Sequence, residues 1–291
     1  MRTLRRFVQP LIRQALRDDI GRGDITTKTV IPPKRHIRAR VYAKAPGILA
    51  GTQVAIWVFE TADQRIHCSI KRRDGHAVRH KQVILVLQGP AHRILAAERT
   101  ALNILAQLSG IATLTCRFVQ RVRSSSVRIM DTRKTLPGLG LLEKYAVRVG
   151  GGYNHRMALD DGVLIKTNHL RTLTQDVSRK TQAIQAAIRQ ARRRLPGKVI
   201  EVEVTGLREF RAALQARPHV IMLDNCSLRT IRNAVRMRNR TAQTSRQPLL
   251  EVSGGVTLDN VQAIAKTGVD RISIGQLTHS APALDVSLEV L

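Results

Sequence analysis

The sequence has few aromatic residues and few cysteines, and each shortage excludes a class of protein. Aromatic residues make up 3% of the 291 residues, and none are interleaved with the basic runs to form a stacking platform for bases. The three cysteines, Cys68, Cys116 and Cys226, are widely separated and form no CxxC pair. This argues against a disulfide scaffold or a cysteine zinc site, and it favours a reducing compartment such as the cytoplasm.

Long apolar runs are missing as well. No run approaches the roughly 20 residues of a membrane span, and the N-terminal segment Met1–Pro10 carries charge without the apolar centre of a secretory signal. The sequence therefore predicts neither a membrane span nor an export signal. Hydrophobic residues still make up 43% of the chain, which is enough for a sizeable core.

Acidic residues are also scarce, because Asp and Glu total 21 against 49 Lys and Arg, a formal net charge of +28. Such a charge attracts anions, nucleic acid first among them. The basic residues are spread along the whole chain, however, and this favours solvated surfaces over a nucleic-acid partner, with attraction of a small anionic substrate as the remaining interpretation. The densest runs are Arg2–Arg6, Lys71–Arg73, Arg192–Arg194 and Arg232–Arg240.

The pattern along the chain changes near residue 110. Before it, the sequence predicts helices at Leu4–Arg17 and Ala91–Ser109, turns across Asp18–Thr27, and strands at His36–Ala43, Ile66–Ile70 and Gln82–Gln88. After residue 125, six short apolar strands alternate with helices. The strands are predicted at Val127–Met130, Val163–Ile165, Val199–Val204, Val220–Leu223, Leu249–Val252 and Arg271–Ile274. The helices between them are predicted at Leu139–Val149, Gln175–Arg194, Leu207–Ala216, Leu228–Met237 and Leu258–Thr267.

Strands that alternate with helices predict right-handed βαβ units and a parallel sheet. Six such strands favour a β/α barrel with an incomplete wall. An open doubly wound sheet is the alternative, but no Gly-x-Gly-x-x-Gly follows the first of these strands. In a barrel, the functional site lies at the carboxyl ends of the strands.

Polar residues or glycines mark each of the six predicted strands, mostly just after the strand ends. They are Asp131–Thr135, Lys166 with Asn168 and His169, Glu201 and Glu203 within the third strand, Asp224–Asn225, Ser253–Gly255, and Gly275. Glycines at the last two strands let backbone N–H groups approach a phosphate, so Ser253, Gly254, Gly255, Ser273 and Gly275 are predicted to bind one.

Glu201 and Glu203 lie two residues apart on a strand and so point to the same face. Buried carboxylates need partners, and the cations predicted nearby are Arg133, Lys134 and Lys166. Alternatively, Glu203 and Asp224 hold Mg²⁺, which takes oxygen ligands and accompanies phosphates. A structural lattice of ion pairs without metal is the third interpretation.

His155 and Arg156 follow the glycines Gly150–Gly152, which by themselves could simply end a helix. Together with Arg133, Lys134 and Lys166, they would give the barrel mouth a strong positive charge suited to carboxylates and phosphates. The residues alone therefore predict a β/α barrel that binds a small, phosphorylated, highly anionic substrate with Mg²⁺.

A set of segments in this order closely resembles the quinolinate phosphoribosyltransferase family. The segments are Asp19–Thr27, Glu98–Asn103, Leu108–Thr113, Asp131–Gly138, Glu143–Val147, Gly150–Arg156, Leu164–Lys166 with Asn168 and His169, Glu201–Val204, Leu223–Asn225, Glu251–Gly255 and Ala281–Asp285. The resemblance implies transfer of a phosphoribosyl group from phosphoribosyl pyrophosphate to quinolinate with decarboxylation, which gives nicotinate mononucleotide for NAD biosynthesis.

The resemblance also implies an α/β fold, in which an N-terminal α/β sandwich-like domain (residues 1–112, with 276–291 returning to it) is joined to an incomplete, open β/α barrel (113–275). It implies a cytoplasmic homodimer that can assemble further, in which the N-terminal domain of one subunit covers the barrel mouth of the other. Arg99 would then reach the quinolinate of the partner subunit.

The resemblance assigns the remaining site residues by their positions in these segments. Lys134, Glu203 and Asp224 would be catalytic and face the ribose, the pyrophosphate and Mg²⁺, which Glu203 and Asp224 would hold directly or through water. The residues implied to bind substrate are Arg99, Thr132, Arg133, Lys134, His155, Arg156, Lys166, Glu203 and Asp224.

Two positions depart from the family pattern and leave rate and affinity open. Gly140 stands where the family often has Arg, and Thr167 stands where an acidic residue is usual. The nearest alternative is a related protein with another substrate, for example one associated with molybdenum transport. An alternative of a different class is a basic nucleic-acid-binding protein with an inactive barrel, but Glu203 and Asp224 are both present, which argues against lost catalysis.

Overall fold

The structure, a computed structural model, describes residues 2–174, 176, 179–240 and 247–291, with side chains from residue 4 onward. These residues form two compact units. The first comprises the described residues up to Cys116 together with Thr135–Gly151 and Leu277–Leu291. The second comprises Arg117–Lys134 and the described residues from Gly152 to Gln276.

The first unit is built on a four-stranded antiparallel sheet in the order β12-β1-β5-β3. Its strands are β1 (His36–Ala43), β3 (His67–Ile70), β5 (Val83–Pro90) and β12 (Val286–Val290), and the short strands β2 (Gly47–Ile48) and β4 (Ala77–Val78) pair separately. The helices are α1 (Arg2–Ile20), α2 (Ile25–Val30), α3 (Thr52–Ala62), α5 (Gly140–Val149) and the first part of α4 (Ala91–Arg121), and α11 (Gln276–His279) begins one residue before this unit.

Helix α4 is the longest helix of the described residues, and it contains a long apolar stretch. Among these residues it alone is long and apolar enough, by length and composition, to cross a membrane. However, 56% of its apolar window is buried inside the protein, and its side chains Ile94, Leu105 and Ile111 are fully buried. These features are those of a core helix, so the apolar surface of α4 is explained by packing.

The second unit contains six parallel strands in the order β6-β11-β10-β9-β8-β7. The strands are β6 (Arg128–Met130), β7 (Val163–Ile165), β8 (Ile200–Val204), β9 (Val220–Asp224), β10 (Leu249–Ser253) and β11 (Arg271–Ser273). The first strand along the chain pairs with the last, and the others follow in sequence, which is the order of a β/α barrel interrupted between β6 and β7. The predicted open barrel is therefore confirmed.

Between the strands of the second unit lie α6 (Thr167–Leu173), α7 (Lys180–Arg194), α8 (Leu207–Ala216), α9 (Leu228–Arg240) and α10 (Val261–Ala265). Successive helices from α6 to α10 pack side by side, and α7 and α8 also contact strands of the sheet. One face of the sheet is almost entirely apolar and buried. Its residues include Ile129, Val202, Val204, Ile221, Leu223, Leu250, Val252 and Ile272. Burial of this face against the helices stabilises the layered arrangement by about 1.5 to 3 kcal/mol per large side chain.

Most predicted elements are confirmed within one to three residues, and three predictions were wrong in extent. Asp18 and Asp19 belong to α1, and residues 25–27 begin α2, so Asp18–Thr27 is not one turn region. Helix α4 continues past Ser109, and the helix predicted at Gln175–Arg194 begins at Lys180. Helices α3, α6 and α11 and strand β12 are among the elements that were not predicted. Gln175, where a helix was predicted to begin, lies outside the described residues, as do the side chains that open the run Arg2–Arg6.

Candidate active site

The second face of the parallel sheet carries the polar side chains. Residues paired across neighbouring parallel strands point to the same side, and the register pairs Glu203 with Met222, Met222 with Glu251, and Glu251 with Arg271. Glu201 lies two residues before Glu203 and therefore shares this face. The predicted alternation of apolar and acidic residues along β8 thus places the carboxylates opposite the face that packs against helices.

Asp131, directly after β6, holds the segment that carries His155. Its carboxylate accepts a hydrogen bond from the backbone N–H of His155 at 2.8 Å, and its own N–H donates to the carbonyl of Tyr153. Tyr153 in turn donates to the carbonyl of Ile129 and forms a parallel bridge with Met130. Tyr153 is therefore fixed beside β6 by a single bridge, and the hydrogen bond to Asp131 fixes the backbone of His155 two residues later.

His155 lies against two buried carboxylates in the interior of the sheet. Its Nε2 is 2.9 Å from Glu201 Oε2 and 3.4 Å from Glu251 Oε1, although neither contact has the alignment of a hydrogen bond. Burial opposes the charged ring, but the two carboxylates outweigh it and raise the pKa of His155. Burial and the neighbouring Glu251 likewise raise the pKa of Glu201. The surroundings therefore shift both His155 and Glu201 toward holding a proton.

The same cluster has the composition of a metal site, since one ligand atom of each residue lies within 4.8 Å of the others. The other ring nitrogen argues against that use. His155 Nδ1 accepts the backbone N–H of Arg156 at 2.8 Å, so the neutral ring holds its one proton at Nε2, beside the carboxylates. This hydrogen bond opposes the effect of the two carboxylates, because a doubly protonated ring could not accept it. A histidine that binds metal through Nε2 normally holds its proton at Nδ1 and donates it. We therefore interpret the cluster as a buried group of ionisable side chains and not as a metal site, and the hydroxyl of Ser273 donates to its Glu251.

Glu203 is half-buried, and its carboxylate is fixed by the start of α6. Its Oε1 accepts from the hydroxyl of Thr167 at 2.7 Å and from the N–H of Thr167 at 3.2 Å. Two donors from one residue restrict the rotamer of the carboxylate and leave Oε2 for another ligand. These partners, Thr167 for Glu203 and His155 for Glu201, are not among the cations that the sequence predicted as partners.

Asp224 and the glycines after β10 lie side by side at the same edge. Asn225 donates its side-chain amide to Asp224 Oδ2 at 3.0 Å and its N–H to the carbonyl of Ser253 at 2.9 Å. Gly254 has a positive φ of 87°, and a Cβ there would lie 2.3 Å from the side-chain oxygen of Asn225. Only glycine fits this close approach, so the loop after β10 is packed directly against the end of β9.

Cations surround this edge. Arg133, Lys134 and Lys166 follow β6 and β7 and are exposed, and Arg156 is half-buried with its Nη1 donating to the carbonyl of Gly162 at 3.0 Å. Burial and the nearby Arg133 lower the pKa of Arg156, whereas Glu201 raises it. Two guanidinium groups that repel each other in this way form a site that an anion would stabilise.

The second unit thus contains all but one of the predicted site residues, near the carboxyl ends of its strands or, for His155 and Arg156, in the segment after Tyr153. The exception is Arg99, which is exposed on α4 in the first unit. Thr132 lies in the loop after β6, where its hydroxyl accepts the N–H of Lys134 at 3.1 Å. Ser273 is buried with its hydroxyl on Glu251, and Gly275 follows β11. The individual roles of these residues stay predictions.

Four residues of the site were not among the predicted site residues: Asp131, Thr167, Asn225 and Glu251. The sequence held a signal for two of them, because Asp131 directly follows an apolar strand and Glu251 interrupts one. Asn225 was noted only as part of the polar cluster after its strand and Thr167 only as a departure from the family pattern, and nothing in either residue type indicates its contact with Asp224 or Glu203.

Comparison with known proteins gives a consistent result over the whole chain. Residues 24–109 match the profile described as the N-terminal domain of quinolinate phosphoribosyl transferase, and residues 111–289 match the profile of its C-terminal domain. Among curated proteins, the chain is 40% identical over 284 residues to the carboxylating nicotinate-nucleotide pyrophosphorylase of Mycobacterium leprae, covering 96% of this chain and 95% of that protein.

A probable carboxylating nicotinate-nucleotide pyrophosphorylase of Bacillus subtilis is 38% identical over 283 residues, covering 97% of this chain and 93% of the relative. Among solved structures, the nicotinate-nucleotide pyrophosphorylase of Francisella tularensis superposes with a TM-score of 0.89 at 38% identity, and the match covers 98% of this chain and 96% of that one. Both the fold and the order of the segments are therefore shared with these proteins.

Proposed function

Because the chain belongs to the quinolinate phosphoribosyl transferase family, we propose that it transfers the phosphoribosyl group of phosphoribosyl pyrophosphate to quinolinate. Pyrophosphate and CO2 are released, and nicotinate mononucleotide for NAD biosynthesis is the product. The observation that carries the proposal is the edge of the parallel sheet, where Glu203 and Asp224 stand among exposed cations. This combination suits a substrate pair that is anionic at both ends and develops positive charge between them.

Quinolinate brings two carboxylates, and the cations at this edge can bind both. We assign Arg133, Arg156 and Lys166 to direct contact, because Arg133 and Lys166 are exposed charges after β6 and β7 and Arg156 lies near Arg133. Planar guanidinium groups bind carboxylates through two parallel hydrogen bonds. His155 serves the same site by accepting the N–H of Arg156, which fixes the backbone from which the Arg156 side chain extends.

Phosphoribosyl pyrophosphate occupies the other half of the edge in this proposal. The N–H groups of the loop Ser253–Gly255 and of Gly275 are suited to its 5′-phosphate, with Ser273 nearby on β11. Lys134, with Thr132 beside it, faces the ribose and the pyrophosphate. The positive φ values of Gly254 and Gly255 let this loop expose its backbone to a ligand.

Mg²⁺ is implied by the phosphorylated substrate, and Glu203 and Asp224 fit it better than the buried cluster does. Both are half-exposed carboxylates at one edge, and Thr167 and Asn225 orient them through one oxygen each. Mg²⁺ keeps several of its waters and takes only one or two carboxylates, which a half-exposed edge allows. When bound, Mg²⁺ would supply charge neutralisation for the departing pyrophosphate.

The residues of this chain then act mainly by charge and position. As the bond from the anomeric carbon to pyrophosphate breaks, positive charge grows on the sugar, and the carboxylates of Glu203 and Asp224 stabilise it. The cations hold the quinolinate nitrogen in line to attack that carbon. In the resulting pyridinium the bond to the 2-carboxylate breaks, CO2 leaves, the ring takes the electron pair, and the ring carbon then accepts a proton.

The direct test is the release of CO2 and pyrophosphate from quinolinate plus phosphoribosyl pyrophosphate and Mg²⁺, with nicotinate as the parallel substrate. We expect turnover of quinolinate only, and its loss in Lys134→Ala. A folded protein that leaves quinolinate untouched would show that the barrel serves another anionic substrate, such as that of a molybdenum-transport relative. Thr167 and Gly140 would then be the first residues to exchange.

We further propose a cytoplasmic homodimer, able to assemble further, in which residues 1–112 with 276–291 form one domain, 113–275 form the barrel, and Arg99 contributes to the partner's site. The free thiols of the described cysteines suit a reducing compartment. Mixing Arg99→Ala and Lys134→Ala subunits should recover part of the activity, because one of the mixed sites would then be intact. Subunit exchange without any recovery would disprove the shared site.

A further inference from the structure

The outer helices of the second unit concentrate positive charge that the proposed reaction does not use. Helix α7 contains four arginines, α8 contains two and α9 contains five. The same three helices contain one acidic residue, Glu209, which pairs with Lys180 at 2.5 Å. The net charge of the chain is +28, and these three helices carry a concentrated part of its positive charge.

Helix α9 presents most of its arginines as one stripe. Arg229, Arg232, Arg236 and Arg240 are all exposed and are spaced three, four and four residues apart. That spacing keeps them on one side of a helix with 3.6 residues per turn, over a length of about 16 Å. The opposite side of α9, with Ile231, Ala234 and Val235, is buried, so the stripe faces solvent.

The neighbouring helices widen the stripe into a surface. Helix α8 packs against both α7 and α9, and packed helices lie about 8 to 10 Å apart. Arg192 donates to the carbonyls of Ala216 and Arg217, which ties the end of α7 to the end of α8. We call the exposed set the arginine face. It comprises Arg189 and Arg193 on α7, Arg208 and Arg211 on α8, and Arg229, Arg232, Arg236 and Arg240 on α9.

The composition of the arginine face excludes several partners. A protein interface has an apolar centre, but the large exposed hydrophobic side chains of the described residues all lie outside α7, α8 and α9. A second copy docked by two-fold symmetry would place arginine against arginine. Unpaired bases need aromatic platforms, and the one aromatic residue of these helices, Phe210, is fully buried.

We propose that the arginine face binds the phosphodiester backbone of a double-stranded nucleic acid without reading its sequence. A duplex presents phosphates along its whole length, about one charge per 1.7 Å of axis, so each of the four arginines spread over about 16 Å of α9 can meet a phosphate. Arginine forks bind phosphate oxygens, and such contacts position a protein without sequence preference. The sequence disfavoured a nucleic-acid partner because the basic residues are dispersed along the chain. The fold, however, places the arginines of α7, α8 and α9 on adjacent helices.

The test measures binding of a labelled DNA duplex, and of an RNA duplex of equal length, by fluorescence anisotropy between about 50 and 200 mM salt. The variant replaces Arg229, Arg232, Arg236 and Arg240 by Gln. Each lost phosphate contact lowers the slope of log affinity against log salt by about 0.9, so we expect the slope to fall by about 3 to 4. Turnover of quinolinate should be unchanged, because no residue of the face belongs to the site.

The matched control replaces four exposed arginines of the first unit, Arg13, Arg38, Arg72 and Arg79, by Gln and removes the same charge. It should keep most of the affinity and slope. Equal losses in the two variants would overturn the proposal, because the attraction would then come from net charge alone. So would absence of duplex binding, or equal binding of poly-glutamate, which would indicate an acidic protein partner. The duplex that binds more tightly, DNA or RNA, shows which kind of nucleic acid the arginine face prefers.

Discussion

The inner face of the parallel sheet and the arginine face on its outer helices hold charge in opposite ways. Inside, Glu201 and Glu251 are almost fully buried, and both lie against His155. Outside, the arginines are exposed, and apart from Glu209 the charged residues on the same helices carry the same sign. A buried charge needs a partner because desolvation is expensive. Water screens exposed charges, so a surface can keep one sign.

This difference teaches that the large net charge of the chain tells little about its interior. The surface tolerates an excess of one sign at small cost, and single exposed substitutions usually change stability by less than about 0.5 kcal/mol. The interior requires local balance, so each substitution there disturbs a specific partner. The four substitutions below probe that contrast.

The largest effect is expected from Glu251→Ala, which removes one member of the buried cluster. His155, Ser273 and Arg271 would lose a partner that lies beside them. Breaking a buried charged network costs about 3 to 5 kcal/mol, measured as the change in unfolding free energy in urea. The control is Glu289→Ala, which breaks the exposed pair with Arg40 and should cost at most about 1 kcal/mol. Similar losses of unfolding free energy in the two variants would contradict the expected difference between buried and exposed charges.

Next is Glu203→Gln, which removes a charge while keeping the oxygen that accepts from Thr167. If Glu203 stabilises the positive charge that develops on the sugar, kcat should fall about 100- to 1000-fold. The measurement is steady-state release of pyrophosphate. The four-arginine variant of α9 is the surface counterpart and should keep its kcat. A Glu203→Gln enzyme within about threefold of the parent would remove Glu203 from the catalytic set.

A smaller effect is expected from Thr167→Val, which removes the hydroxyl donor but keeps the backbone N–H on Glu203. Hydrogen bonds to charged groups are worth about 1.5 to 3 kcal/mol, so kcat should fall at least about tenfold while KM for quinolinate changes little. Thr167→Ser restores the hydroxyl and should restore the rate. Equal rates for Val and Ser would mean that the hydroxyl does not position Glu203.

The smallest effect concerns Glu143 on α5, a buried carboxylate of the first unit whose Oε2 accepts the N–H of Leu136 at 3.2 Å. Burial raises its pKa to about 6, against the lowering effect of that N–H. The folded state therefore holds the proton more tightly than the unfolded chain. The contribution of Glu143 to stability is greatest below about pH 4.5 and is lost as the pH rises through about 6.

Glu143→Gln should remove this loss and stabilise the protein by about 1 to 2 kcal/mol at pH 8, with little gain at pH 4. Thermal unfolding at the two pH values is the measurement. Because exposed carboxylates carry no such penalty, Glu289→Gln serves as the control and should show no comparable gain at pH 8. A Glu143→Gln gain that is equal at both pH values would exclude titration of Glu143 as its cause.

The strands of the barrel were predictable because each is a short apolar run followed by polar residues or glycine. Helix α3 was missed because Val54-Ala-Ile-Trp-Val-Phe59 is apolar on all sides and rich in β-branched and aromatic residues, which is typical of a strand. The end of α4 was wrong: the helix was predicted to stop at Ser109, and the next residue, Gly110, is of a type that often ends helices. In the structure, Gly110 lies inside the helix, and a Cβ there would lie 2.1 Å from the carbonyl oxygen of Pro282.

The positions of the site residues at the strand ends were predictable by the same rule, but their contacts were not. Glu201 and Glu203 were expected on one face, and the register agrees. The contact of His155 with Glu201 and Glu251 joins three segments that are about 50 residues apart in the chain. A local sequence pattern carries no information on such contacts. The arginine face was missed for the same reason, since its three helices are separated by strands.

The order of the parallel strands has one further consequence. Strands β6 and β7 are the two edge strands of the sheet, so the barrel is open between them and not closed. An open sheet can bend through small changes in the twist between adjacent strands, while the hydrogen bonds between those strands stay intact. Lys134 follows one edge strand and Lys166 follows the other. Bending of the sheet therefore changes the distance between these two ammonium groups.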